Sequence, residues 1–107
     1  MTKEEASMIG FEIVAYSGDA RSKLLLAVEN AKPGNFDNGE FDEADELIKK
    51  GESELTKAHN AQTELLAKEA QGKNIEYSIM LVHAQDHLMT TLLLKDIIST
   101  LIDVYKK

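Results

Sequence analysis

Apolar residues recur at steps of three and four along almost this entire chain, and only two stretches interrupt the rhythm. The first, AKPGNFDNG at 31–39, holds the only proline, Pro33; the second is Gln71-Gly72-Lys73-Asn74. Before the first break the periodic positions are Ile9, Ile13, Tyr16, Ala20, Leu24 and Ala27. Between the breaks they are Phe41, Ala44, Ile48, Gly51, Leu55, Ala58, Gln62 and Leu65. Such spacing predicts amphipathic helices, and no alternating strand pattern or internal repeat competes with it. Thr2 followed by Glu5 reads as a capping box at the start of the first helix. Gly72 suits the C-terminal cap of the second. Asn74 is the expected N-cap of a third helix running to about Tyr105. Helices of about 30 residues are about 45 Å long. Joined by short connections they become antiparallel neighbours, so the expected fold is an all-α, up-down-up three-helix bundle in a single domain, residues 1–107. Gly10, Gly18 and Gly51 fall inside these helices, where each costs roughly 1 kcal/mol relative to alanine. They mark either close helix contacts or a kink near Ser17-Gly18.

The chain is too short for two substantial cores. Its 43% hydrophobic and 29% charged residues are ordinary for a globular protein. A formal charge of −7 argues against nucleic acid or an anionic membrane surface as partner, since a polyanion would be repelled. Without cysteine there is neither a disulfide framework nor a thiolate metal site, which suits a reducing cytoplasm. The opening MTKEEASMIG has no signal-peptide apolar run. Lys95, Asp96 and Asp103 break up the greasiest segment, so it does not read as a membrane span. The expected location is cytoplasmic.

The third helix carries more apolar surface than a three-helix monomer can bury. One stripe holds Met80, Ala84, Thr91, Leu94, Ile98, Leu101 and Tyr105. Another holds Ile79, Val82, Asp86, Met89, Leu93, Ile97 and Val104, while Leu81, Leu88 and Leu92 extend onto a third side. A helix apolar nearly all round must be covered nearly all round. Self-association follows.

Into this helix is set HAQDHLM, residues 83–89. Asp86 lies in the second apolar stripe, where an isolated carboxylate is costly unless paired, neutralised or bound to metal. If that stripe is the seam of a symmetric oligomer, copies of Asp86 converge, and a hard cation such as magnesium relieves their repulsion. The alternative is a surface Asp86 paired with a lysine. His83 lies about 60° around the helix from Asp86, and His87 about 40° beyond His83. One turn apart, their rings can meet. A transition metal on these two would need further ligands, which His59 on the second helix could supply only by chance. His59 is assigned no role, and the acidic run Glu40–Glu46 reads as a solvated face. Serine nucleophile motifs, phosphate-cradling glycine loops and an acid–base carboxylate pair are absent. Any chemistry falls to histidine.

HAQDHLMT at 83–90, with LLLKDII after it, closely resembles the active segment of the lactose/cellobiose-class enzyme IIA of the phosphoenolpyruvate-dependent sugar phosphotransferase system. GFEIVAYSGDARSKLL at 10–25 and AHNAQTELLAKEA at 58–70 extend the likeness over essentially the whole chain. The resemblance implies a homotrimer in which nine helices bury the surplus surface. It implies that His83 is phosphorylated on a ring nitrogen, and that Asp86 binds one magnesium-like ion together with its two symmetry mates. It further implies delivery of the phosphoryl group by a histidine phosphocarrier protein. Transfer then proceeds to a cysteine of enzyme IIB and on to a disaccharide at the membrane component, IIC. Histidine attacks phosphorus as neutral imidazole, the prevailing form at neutral pH, and the transfer needs mainly positioning and charge stabilisation. His87 and Gln85, beside His83, are candidates to orient the imidazole or hydrogen-bond the phosphoryl oxygens. The competing reading is a non-enzymatic helical oligomer with a structural His/Asp metal site. Nothing in the sequence selects the sugar.

Overall fold

The computed structural model describes residues 1–32 and 41–106. Three α-helices account for most of them: α1 (Lys3–Ala31), α2 (Phe41–Ala70) and α3 (Ile79–Lys106). Among the described residues there is no strand. The break around Pro33 lies outside them.

Each helix is built as its local sequence requires. The capping box at the start of α1 is complete: Thr2 Oγ1 accepts from the Glu5 amide at 3.1 Å, and Glu5 Oε1 accepts from the Thr2 amide at 3.1 Å. Two of the orphan N–H groups of a helix start are thereby satisfied. Helix α1 runs unbroken through Gly18 to Ala31. At the far end of α2, Gly72 takes φ +86°, a conformation open to glycine at little cost. Its amide donates to Glu69 O at 3.0 Å while the Lys73 amide donates to Lys68 O at 3.1 Å, the paired bonds of a Schellman cap.

The third helix starts later than Asn74. Ser78, not Asn74, stands before its first turn, and its carbonyl accepts from the amides of Leu81 at 3.1 Å and Val82 at 3.2 Å. Asn74 instead offers its carbonyl to the terminal amine of Met1 at 3.0 Å. Ile75 packs against the core and the Ser78 hydroxyl pairs with that of Ser7 at 3.0 Å. These contacts draw residues 73–78 across the end of the bundle as irregular chain, and helical winding from Asn74 would break them.

The buried positions step mostly by three and four in each helix. In α1 they are Ala6, Gly10, Ile13, Ser17, Ala20, Leu24, Ala27, Asn30 and Ala31. In α2 they include Ala44, Ile48, Gly51, Leu55, Ala58, Gln62 and Leu65, all expected from spacing. In α3 they are Leu81, Ala84, Leu88, Thr91, Ile98 and Ile102. A 3.5-residue repeat keeps one seam turned to the neighbour along the full length of a helix. Helix α1 packs extensively on both α2 and α3. Small residues on its inner face permit close approach. A β-carbon added at Gly10 would lie 3.1 Å from Met80 Cγ and 3.3 Å from Met80 O, and one at Gly51 would meet Leu24 at 3.3 Å.

The seam of α3 leaves its second apolar stripe uncovered. Ile79, Val82, Met89, Leu93, Ile97 and Val104 are between 47% and 73% exposed. No helix is long and apolar enough to cross a membrane among the described residues.

A histidine pair on the third helix

The α3 segment 83–91 brings His83 and His87 together. Their ring centroids lie 4.8 Å apart with planes at 72°, an edge-to-face contact one helical turn long. His83 is exposed, while His87 is half-buried. The difference follows from the wheel: His87 lies nearer the Leu88–Thr91 core side, and His83 nearer solvent. The Nδ1 atom of His87 is buried without a hydrogen-bond partner.

Burial first, then the charge of Arg21, holds the His87 pKa below the ordinary histidine value of 6.5. His83 adds to that effect and Asp86 opposes it. Desolvation and a nearby cation both disfavour the imidazolium form. The neutral form of His87 is therefore favoured.

Arg21, the only arginine in the sequence, is the residue that spacing did not single out. From α1 it donates Nε–H to Thr91 Oγ1 at 3.1 Å and an Nη2–H to the His87 carbonyl at 3.2 Å. Nη2 also donates to Thr90 Oγ1. Thr91 Oγ1 in turn donates to the His87 carbonyl at 2.7 Å, and Thr90 Oγ1 to that of Asp86 at 2.8 Å. The one available signal was compositional: a single guanidinium, among lysines, between the core positions Ala20 and Leu24.

The other candidates sit apart. Asp86 is exposed between Val82 and Met89 on the uncovered stripe. Its carboxylate makes no ion pair among the described residues, so the lysine partner expected of a plain surface aspartate is absent there. Gln85 is exposed. His59 lies on α2, where it lines a shallow groove with Leu92 and Lys95, about three turns along α3 from His83. No three His, Asp or Glu side chains gather into a metal-binding group among the described residues.

Residues 8–106 match the family described as "PTS system, Lactose/Cellobiose specific IIA subunit". The chain belongs to that family. It is 56% identical to the lactose-specific EIIA component of the phosphotransferase system of Streptococcus mutans, across 100% of this chain and 98% of that one. The corresponding component of Lactococcus lactis is 51% identical, over 100% and 97% of the two chains. Among solved structures, the cellobiose-specific enzyme IIA of Bacillus anthracis aligns with TM-score 0.85 and 40% identity, covering 99% of this chain and 91% of that one. PtcA of S. mutans aligns with TM-score 0.90 and 39% identity over all of both chains. As a IIA family member the chain is a phosphotransferase component, and its work is phosphoryl transfer in sugar uptake.

Proposed function

We propose that His83 is the phosphoryl acceptor of this IIA chain, taking the group from a histidine phosphocarrier protein and passing it to a cysteine of enzyme IIB, which serves the membrane component IIC. The observation that carries this reading is the histidine pair: an exposed ring braced edge-on by a second, half-buried one. An exposed imidazole is open to two partners in turn. In the first step a ring nitrogen of His83 attacks phosphorus, forming an N–P bond as the donor's N–P bond breaks. In the second a thiolate attacks, an S–P bond forms and neutral His83 is released. Gln85 and His87 stand close enough in sequence to contact the phosphoryl oxygens. The protein is a carrier that acts as one domain over residues 1–107.

The same reading includes an up-down-up bundle assembled as a cytoplasmic homotrimer. The arrangement is supported by which residues meet: Ser7 with Ser78 and Arg21 with Thr91, but Gly51 with Leu24. The trimer is supported by the uncovered stripe of α3. Burying the exposed half of its six large side chains contributes on the order of 1 kcal/mol each, roughly 6 kcal/mol per protomer. Asp86 sits in the middle of that stripe and fits a hard cation such as Mg2+, held between three copies of its carboxylate. Bound there, the cation would supply charge neutralisation to the seam.

The test is labelling. Incubation with phosphoenolpyruvate, enzyme I and the phosphocarrier protein should place an acid-labile, base-stable phosphate on the wild type and none on His83→Ala. Label retained in His83→Ala but lost in His87→Ala would transfer the role to His87.

A further inference from the structure

Arg21 donates to three acceptors on one turn of α3, and that turn bears the histidine pair. Between the core positions Ala20 and Leu24, its stem follows the α1–α3 seam and its head reaches α3 beside His87. A second side-chain hydrogen bond, between Ser7 and Ser78, ties α1 to the residue just before α3.

We propose that Arg21 is a positioning residue for phosphoryl transfer: from α1 it fixes the α3 turn carrying His87, so that the His87 ring holds the His83 ring in one orientation. The proposal rests on the phosphoryl-transfer reading of His83. Thr90 and Thr91 each donate back to a carbonyl of the preceding turn, a habit that loosens and bends helices when nothing directs it. Arg21 directs it. Each hydroxyl accepts from the guanidinium and donates to the carbonyl of Asp86 or His87, so both ends of the relay are set. Thr91 is fully buried, where no water can substitute for the guanidinium N–H. A planar fork sets one nitrogen opposite Thr91 and another opposite the His87 carbonyl and Thr90, whereas a lysine carries all its donors on a single nitrogen. The consequence is a fixed rotation of α3 about its own axis at His87, and through the 4.8 Å ring contact a fixed His83.

The experiment compares wild type with Arg21→Met, Arg21→Lys, Thr91→Val and the surface control Lys23→Met. It measures the rate of phosphoryl transfer from the phosphorylated phosphocarrier, thermal melting, and the imidazole nitrogen resonances of the unphosphorylated proteins. Misplacement of a reacting group by about 1 Å costs on the order of 100-fold, so Arg21→Met should lower kcat roughly 10- to 100-fold with KM for the donor protein changed less than about twofold. The His83 and His87 ring resonances should shift with it. Arg21→Lys should restore little of the rate, Thr91→Val should lose an intermediate amount, and Lys23→Met should match wild type. A kcat unchanged in Arg21→Met while only the melting temperature drops would overturn the proposal. So would a rise in KM alone, which would make Arg21 a docking contact, or unmoved His83 resonances. If Arg21→Met does not fold, Thr91→Val decides by the same criteria. Failure of wild type to label at His83 overturns the acceptor reading itself; a labelled wild type with normal Arg21 variants overturns only the positioning role.

Discussion

His87 spends its burial differently from an ordinary core histidine. Its Nδ1 has no partner, and a ring in that state is tolerable only while uncharged, since an unpartnered buried imidazolium would forfeit far more solvation. The depressed pKa expresses the same physics and has a consequence for stability. Above about pH 7 the ring is neutral in folded and unfolded chains alike, and pH has no effect through it. As pH falls through 6.5 the unfolded chain takes up a proton that the folded one resists, so folding stability declines with falling pH until the folded ring also protonates. Wild type measured in chelator should therefore lose stability as pH falls below about 6.5, and His87→Gln should flatten that part of the curve. Equal slopes in the two proteins would remove His87 as the cause. In Arg21→Met the His87 titration should move upward, because one of the two leading causes of its depression is gone.

The helices owe their boundaries to backbone chemistry and their contacts to side-chain size. Gly18 and Gly51 are both mid-helix glycines, yet they answer to different constraints. A β-carbon at Gly18 meets nothing within 4 Å, so Gly18→Ala should add up to about 1 kcal/mol of stability through helix propensity alone. At Gly51 the same change presses on Leu24 Cγ and Cδ2 at 3.3 Å and on Ala20 O at 3.4 Å. Ala20 O belongs to backbone and Leu24 is fully buried, so neither yields freely, and Gly51→Ala should gain nothing or lose stability. Chemical denaturation of the two variants checks the contrast; a comparable gain at both sites would mean that the α1–α2 contact is looser than it looks. Of the glycines inside the helices, Gly10 and Gly51 mark close helix contacts, whereas Gly18 does not.

At the scale of the molecule, α3 has one seam turned inward and a second turned to solvent. The outward seam is apolar except at Asp86 and Thr100, an arrangement that is expensive for a monomer and natural for an oligomer. Three carboxylates drawn together on an axis repel unless a cation intervenes. If the proposed trimer closes on Asp86, chelation or low magnesium should weaken it, and added magnesium should raise its melting temperature. Asp86→Leu should stay trimeric and ignore the chelator, because a leucine matches Val82 and Met89. Sedimentation and melting of both proteins, with and without chelator, provide the measurement; the same chelator response in both would return Asp86 to the surface.

The three helices, the capping box at Thr2–Glu5, the Gly72 cap and the inner face of α2 apart from Ala61 could be read from spacing because each depends on residues within one or two turns of each other. The outward stripe of α3 was equally legible, as was the approach of His83 to His87, which is a matter of pitch. The inward face was not: it joins Ala84, Thr91 and Ile98 of the first stripe to Leu81 and Leu88 of the third side, with Ile102, and leaves Leu101 exposed. The choice was made by the small residues of α1 meeting Met80 and Leu81, and by Ser78 meeting Ser7, pairs some seventy residues apart in the chain. The true start of α3 was decided in the same way, by Ile75 and Ser78 finding partners that Asn74 could not foresee. Arg21 belongs with these. Nothing within its own helix says that its guanidinium will close on Thr90, Thr91 and the His87 carbonyl, because that contact exists only once α1 and α3 lie side by side.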